Sequence, residues 1–341
     1  MSDNILVSIL CPTFNHSSYI RDALDGFINQ NCNFGFEIII NDDASTDGTT
    51  DILREYQMRY PDVFRLNIQR QNQYQQGVRG PITRILLPMA NGKYVALCDG
   101  DDYWTDPDKL ARQVAYMEAN PDCTLCFHPV QVINEVEKTK SIFPASEIEF
   151  TLGNLIKANF LQTNSAMYRR MSDFVPTAKQ IMPMDWYLHL CHAANGKIGY
   201  INKTMAVYRI HSEGIWTALR KSDSMQFMLD HALPKLRFHL VVREMFANRG
   251  YADECDTAVL TALQQIVAVV DRDSLEDFLM LLLDSGNARY EYSDLLAPLL
   301  TALIKSIDGI DAKHQKVIDE IFASTSWKIT KPIRLLGSLF K

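Results

Sequence analysis

Tyr94-Val95-Ala96-Leu97-Cys98-Asp99-Gly100-Asp101-Asp102 is the stretch on which the reading of this chain turns. Its first five residues are apolar without alternation, which suits a short strand buried on both faces. Asn91-Gly92 just before it is a turn signal. The strand then runs into three carboxylates within four positions. Charges that close together repel one another unless a cation or donor groups compensate. An acidic surface turn that caps the next helix is the plain alternative. The buried strand before it and Tyr103-Trp104 after it shift the balance towards a site.

Working outward, the first third alternates strand and helix patterns. Ile5 to Cys11 is an apolar, β-branched run broken by Pro12-Thr13-Phe14-Asn15. Ser17 or Ser18 can cap a helix to about Asn31, with Ile20, Leu24, Phe27 and Ile28 at helical spacing. Phe36 to Ile40 reads as a second strand, followed by the polar turn Asn41-Asp42-Asp43-Ala44-Ser45-Thr46-Asp47-Gly48. A helix from Thr49 to Tyr60 ends at Pro61, and Phe64 to Gln69 makes a third strand. Polar residues with Gly77 and Gly80 precede a helix near Ile82 to Ala90. Continuously apolar strands separated by helices predict an α/β domain with a mostly parallel sheet covered on both faces. Ligands bind at the carboxyl ends of such strands. The polar segments after Cys11, Ile40 and Cys98 would meet on that rim.

From about Asp122 to Arg209 the pattern is mixed. Met184-Asp185-Trp186-Tyr187 reads as a helix start and Tyr208-Arg209-Ile210-His211 as a strand end. Ser222 to Ala323 reads as helical, with leucine-rich stretches such as Phe278 to Leu283. The expected organisation is a nucleotide-binding domain over residues 1–217, a helical domain over 218–323 and a basic amphipathic tail over 324–341.

Composition narrows the function classes. The 341 residues are 47% apolar, enough for a sizeable core. A net charge of -7 argues against nucleic acid as a partner, which calls for a basic surface. Met1-Ser2-Asp3-Asn4 has neither a basic n-region nor a long apolar core, so no secretory signal is expected. No apolar run approaches the roughly 18 residues needed to span a bilayer. The seven scattered cysteines then read as free thiols in a reducing cytoplasm. Cys123 and Cys126 lie three apart in a strand-like run, on opposite faces, with no second pair to complete a zinc site.

Asp42 and Asp43 end the second strand on the shared rim. A carboxylate there can accept from a base N–H or a ribose hydroxyl, or organise the turn and cap the next helix. Asp47 fits a purely structural role better. Hard cations such as Mg²⁺ and Mn²⁺ prefer oxygen ligands and bridge to phosphates, which suits the Asp99–Asp102 turn.

Cys11-Pro12-Thr13-Phe14-Asn15, then Asn41 to Thr49, then Asp99-Gly100-Asp101-Asp102, in this order and spacing, resemble the family 2 glycosyltransferases of GT-A fold. The resemblance covers roughly residues 5 to 215. It implies a GT-A domain and an inverting hexosyl or deoxyhexosyl transfer from a nucleoside-diphosphate sugar, of UDP or dTDP type. By that similarity Pro12, Thr13 and Asn15 lie beside the nucleoside, Asp43 contacts the base, and Asp99 reaches the ribose. Asp101 binds a divalent metal, Mn²⁺ or Mg²⁺, and Asp102 supports the site. Gly77 and Arg79 fall where the family has a nucleotide-contacting loop.

Inversion needs a carboxylate to take the acceptor's proton. Asp185 stands where the family commonly has an acidic pair, with Met184 replacing the first acid. A dipole-favouring residue at a helix N-terminus is the alternative. His211 resembles part of a loop that closes over the diphosphate and could be a further metal ligand. Arg209 could offset phosphate charge. Trp104 and Trp216 could stack on sugar faces, with core or rim packing as their default.

The tail from Ser324 to Lys341 holds Lys328, Lys331, Arg334 and Lys341 and no acid. Wound as a helix from Pro332, it puts Ile333, Leu335, Leu336, Leu339 and Phe340 on one arc. It could lie on an anionic membrane surface, or dock on the protein or on a second subunit of a homo-oligomer. The expectation is a cytoplasmic enzyme, peripheral on the inner membrane face, with a glycan or lipid-linked glycan acceptor in bacterial surface polysaccharide synthesis. A sugar-nucleotide nucleotidyltransferase is the nearest rival, but it calls for a Gly-rich phosphate loop where Pro12-Thr13-Phe14-Asn15 stands. A catalytically silent scaffold is the rival from another class.

Overall fold

The computed structural model describes residues 5–144, 149–171, 182–214 and 233–267. The chain divides into two compact units, Met1–Arg220 and Lys221–Lys341. The expected boundary at 217, Trp216, the Phe278–Leu283 stretch and the tail over 324–341 lie outside the described residues.

The first unit is built on a seven-stranded sheet. Its strands are β1 (Ile5–Thr13), β2 (Gly35–Asp42), β3 (Phe64–Ile68), β4 (Tyr94–Leu97), β6 (Cys123–Phe127), β9 (Met167–Arg169) and β10 (Lys197–Tyr200). Their order is β10-β6-β9-β4-β1-β2-β3. The β1, β2, β3 and β4 pairings are parallel, and β9 runs antiparallel between β4 and β6. This is the mixed, mostly parallel sheet expected. Ile9, Leu10, Cys11, Ile38, Ile39, Ile40 and Tyr94 to Cys98 are almost wholly buried, as strands covered on both faces require.

Helix α1 (Ile20–Ile28) lays Ile20, Ala23, Leu24 and Phe27 into the core. Each large side chain there contributes about 1.5–3 kcal/mol by leaving water. The helix starts later than its serines suggested. Ile20 N–H donates to His16 O (2.8 Å), and Ser17 N–H is taken by the Asp47 carboxylate (2.8 Å), so neither serine caps it. Helix α2 (Thr49–Arg59) follows the acidic turn. The expected helix near Ile82 forms as a wide turn, Ile82–Leu86, running into the short α3 (Leu87–Met89). Helix α4 (Lys109–Ala119) precedes β6, in which Cys123 and Cys126 are both buried and free. Helices α5 (Leu152–Lys157) and α6 (Met184–Ala193) complete the unit's described helices.

A second sheet has the order β5-β11-β7-β8, from Tyr103–Trp104, Ala206–Ile210, Val130–Asn134 and Thr139–Phe143. Sequence periodicity did not disclose it, because β5 is two residues long and pairs with β11 from a hundred positions away. It carries Tyr208 and Arg209 back to the Asp-rich turn.

In the second unit, α7 (Leu233–Phe246) and α8 (Ala252–Val267) form a helical hairpin. Gly250, at φ +93°, makes the reversal that a side-chain-bearing residue resists. Phe238, Val242 and Phe246 on α7 and Cys255, Val259 and Leu263 on α8 are buried, and Arg243 pairs with Asp256 at 2.5 Å.

Candidate active site

The ends of β1, β2 and β4 are stitched together by backbone hydrogen bonds. Asp43 N–H donates to Thr13 O and Gly100 N–H to Pro12 O, both at 3.0 Å. Gly100 is required here: a Cβ on it would lie 2.6 Å from Thr13 Oγ1 and 2.8 Å from Ile20 Cδ1. The three polar segments therefore meet on one rim.

Asp101 faces two imidazoles. Its Oδ2 lies 3.2 Å from His211 Nε2 and 3.6 Å from His16 Nε2. Burial acts to raise its pKa, but the hydrogen bond from His211 and the charge of His16 win, and the carboxyl sits below its ordinary value. Burial pushes the His16 imidazole down against the pull of Asp101. His16 is oriented from behind, with Nδ1 3.1 Å from Thr13 Oγ1 and N–H donated to Thr49 Oγ1 at 2.9 Å. His211 is 2% exposed, packs on Tyr19 with ring centroids 4.4 Å apart, and leaves Nδ1 without a hydrogen-bond partner.

Asp99 is half-buried. Burial drives its carboxyl well above the usual range, and the charges of Asp101 and Asp185 push the same way. Asp185 thus belongs to the same electrostatic cluster, although 86 positions separate it from Asp99 in the chain. It stands in the first turn of α6, and its Oδ2 accepts from Thr163 Oγ1 at 3.1 Å. Tyr208 sits among all four acids: burial first, then Asp102, Asp101, Asp99 and Asp185, raise its pKa.

Three of the expected site residues, Asp102, Arg209 and Trp104, are engaged within the protein. Asp102 is 1% exposed and accepts from Arg209 N–H at 2.9 Å, so it locks β11 to the turn rather than reaching a nucleotide. Arg209 is already engaged: its guanidinium donates to Asp101 O (2.9 Å), pairs with Asp22, and lies 3.9 Å from Glu135. It also stacks 4.3 Å above the Tyr103 ring. That leaves it a clamp, not a free phosphate binder. Trp104 is 4% exposed, packs on Phe27, carries Lys109 Nζ 4.0 Å over its ring, and donates Nε1–H to Asn164 O. It is core, because β5 turns it inward.

The Asp42–Gly48 turn divides its acids. Asp42 is buried and accepts from Ser45 N–H (3.1 Å), Ser45 Oγ (2.6 Å) and Thr50. Asp47 accepts from Ser17 N–H (2.8 Å) and from Thr49 N–H (3.0 Å), a structural role as expected. Asp43 accepts backbone N–H from Gln73 (2.7 Å) and Tyr74 (3.0 Å), one on each oxygen, and so holds the 71–80 loop at the rim. Asn15, at φ +53°, accepts from Thr46 N–H at 2.9 Å, a strained backbone held by the turn opposite. In the loop, Gly77 has φ +83° and Arg79 stacks 3.7 Å over Tyr74. A Cβ on Gly80 would come 3.0 Å from Met184 Cγ, so the loop abuts the start of α6 beside Asp185.

His16, Tyr19, Thr163 and Tyr208 are site residues that sequence reasoning passed over. His16 carried a signal, being an imidazole directly after the Pro12–Asn15 rim segment. The others needed the fold. Among the described residues, no set of three or more His, Cys, Asp or Glu side chains is already arranged as a metal centre.

Fold and rim together define a mixed, mostly parallel α/β domain with an acidic cluster at the carboxyl ends of its central strands. Residues 8–174 match the profile of glycosyl transferase family 2. An uncharacterized protein of Mycobacterium tuberculosis, Rv1520, is 46% identical over 212 residues, covering 62% of this chain and 60% of that protein. The putative teichuronic acid biosynthesis glycosyltransferase TuaG of Bacillus subtilis is 26% identical over 224 residues, covering 64% of this chain and 85% of TuaG. Among solved structures, residues 1–349 of TarS from S. aureus, in complex with UDP-GlcNAc, superpose with a TM-score of 0.59 at 20% identity. That match covers 82% of this chain and 80% of TarS 1–349. The N-terminal unit is a family 2 glycosyltransferase domain of GT-A fold. The chain spans 60% of the length of its mycobacterial relatives. The nucleotidyltransferase reading yields to this membership. Among the described residues no helix is long and apolar enough to cross a membrane.

Proposed function

We propose that this chain transfers a sugar, with inversion, from a nucleoside-diphosphate sugar of UDP or dTDP type to a hydroxyl of a glycan or lipid-linked glycan acceptor. The product is a bacterial surface polysaccharide. The observation that carries the reading is the meeting of the β1, β2 and β4 ends on one rim, where Asp101 faces His211 and His16 and Asp43 holds the 71–80 loop that abuts the start of α6 beside Asp185. The putative teichuronic acid biosynthesis role of TuaG and the UDP-GlcNAc held by TarS support the acceptor and donor classes.

The donor's base and ribose lie along Pro12, Thr13, Asn15, Asp43 and Asp99, with the Gly77–Arg79 loop closing over them. Asp185 takes the proton from the acceptor hydroxyl as that oxygen attacks the anomeric carbon and the nucleoside diphosphate departs. The Asp101 carboxylate offers the hard oxygen that Mn²⁺ or Mg²⁺ prefers, with His211 Nε2 3.2 Å from it as a nitrogen that Mn²⁺ tolerates better than Mg²⁺, so Asp101 and His211 are the residues that would hold a divalent cation. A cation held there would neutralise charge on the leaving diphosphate. The cluster needs such compensation, since Asp99 and Asp102 are otherwise pushed towards their neutral forms. His16, oriented by Thr13, stabilises the ionised Asp101. The basic tail over 324–341 holds the enzyme on the inner membrane face, near a lipid-linked acceptor.

A thermal-shift panel of nucleotide sugars with and without Mn²⁺ tests this reading. The true donor raises Tm only with metal and only with Asp101 intact. No shift with any nucleotide sugar rejects it.

A further inference from the structure

One turn along α6 from Asp185, a buried polar pair is left unused by the proposed reaction. Tyr168 on β9 and His189 on α6 are 1% and 0% exposed. Tyr168 Oη is 2.6 Å from His189 Nδ1, and the rings stack at 15° with centroids 5.9 Å apart. His189 Nε2 is buried and has no hydrogen-bond partner among the described residues. An unpaired imidazole nitrogen in a core is costly and calls for a partner in some state of the molecule. His189 is one helical turn after Asp185, so both project from the same face of α6. Asp185 already has one oxygen, Oδ2, held by Thr163. Residues four apart on a helix are surface neighbours, so the i, i+4 spacing puts the imidazole within reach of the carboxylate.

With the Tyr168 hydroxyl donating to Nδ1, the His189 proton lies on Nε2. We propose that His189, locked in this tautomer by Tyr168, is a positioning residue for Asp185: its Nε2–H donates to the Asp185 carboxylate when substrate is bound. One oxygen is then held by Thr163 and the other is oriented by His189, which directs a lone pair at the acceptor hydroxyl. The chain Tyr168–His189–Asp185 orients a base through an imidazole, and no proton need leave the imidazole. The inference rests on the proposed role of Asp185.

Four substitutions test it in the full chain. Removing a hydrogen bond to a charged group lowers kcat by about tenfold to a hundredfold. His189→Leu is expected to show that loss with donor KM within about twofold, the split that marks an interaction made in the transition state. His189→Gln keeps a donor near the Nε2 position and restores most of the loss. Tyr168→Phe removes only the hydroxyl and lowers kcat in the same sense. In an Asp185→Asn background, neither His189→Leu nor Tyr168→Phe costs anything further. Undiminished losses in that background, or loss of Tm with kcat unchanged, overturn the proposal.

A readout independent of turnover separates this inference from the reading beneath it. In ¹⁵N spectra of the histidine side chains, His189 is expected as the Nε2–H tautomer, with a signal that moves on Asp185→Asn. An unmoved signal overturns the positioning role even where transfer is observed. A moved signal in a protein that transfers no sugar from any donor keeps the contact and rejects the transferase reading instead.

Discussion

Asp101 Oδ2 lies 3.2 Å from His211 Nε2, although 110 positions separate the two residues in the chain. The contact joins the end of β4 to the end of β11. It makes a carboxylate and an imidazole on different sheets into one unit.

Asp101→Ala and His211→Ala should therefore weaken donor binding in the same, metal-dependent way. At about 100 times its Kd a donor adds roughly 2.7 kcal/mol to stability. Differential scanning fluorimetry with Mn²⁺ should show that gain in the parent and little of it in either variant. A full shift in Asp101→Ala rejects the metal assignment.

Asp185→Asn should separate binding from chemistry. A general base contributes about 10²–10⁴-fold, so kcat should fall by that factor while donor affinity holds. Isothermal titration beside a transfer assay checks both. Loss of donor affinity would show that Asp185 holds the nucleotide sugar instead.

Gly100→Ala should damage fold and site together. The new methyl would meet Thr13 Oγ1 at 2.6 Å, and Thr13 orients His16. Overpacking costs about 1–3 kcal/mol. A fall in Tm should accompany loss of donor binding, whereas unchanged Tm and binding would contradict the close packing of β4 against β1.

Glu37 should be the largest single polar contributor to the sheet. It is 2% exposed and accepts from Ser8 Oγ (2.7 Å), Asn91 N–H (2.7 Å) and Arg65 (2.9 Å). Glu37→Ala removes the acceptor from the buried Ser8 and Asn91 donors, while Arg65, 43% exposed, keeps Met89 O at 2.7 Å, so a loss of about 1–3 kcal/mol is expected in chemical denaturation. A loss under about 1 kcal/mol would show that the surrounding groups find water instead.

Acid stability follows from the same residue and from Asp47. Burial acts to raise the Glu37 pKa, but the bonds from Ser8, Asn91 and Arg65 win and lower it. Partial burial acts to raise Asp47, and the bonds from Thr49 and Ser17 bring it down to about 2. Both folded-state values lie below the unfolded ones. Their stabilisation is complete above the unfolded carboxylate pKa, about 4, and is lost as pH falls through the folded values. Denaturation midpoints should thus fall between about pH 4 and pH 2, with Glu37→Gln flattening the curve. Asp47 is solvent-exposed, so its share is small.

Much of this was legible in the order of residues. The apolar runs around Ile9, Ile39 and Ala96 marked buried strands, because a strand covered on both faces cannot alternate. Their polar ends marked the rim, and the start of α6 at Met184 and the strand end at Ile210 fell where the pattern indicated. What escaped were contacts made across long separations. Asp102 and Arg209 looked like ligand-facing groups until β11 brought each to the other. Trp104 took its default place in the core, where β5 turns it inward. His16 signalled itself only by following the Pro12–Asn15 rim segment, and Tyr208 carried no motif of its own.

Local sequence thus set the strand–helix alternation and the shared rim, since periodicity and turn chemistry act over a few residues. Which acids stay charged, which are walled in and which imidazoles face Asp101 was decided by tertiary packing. A carboxylate's role depends on burial and on the donors within about 4 Å of it. Those neighbours come from strands and helices that only the folded sheet brings together.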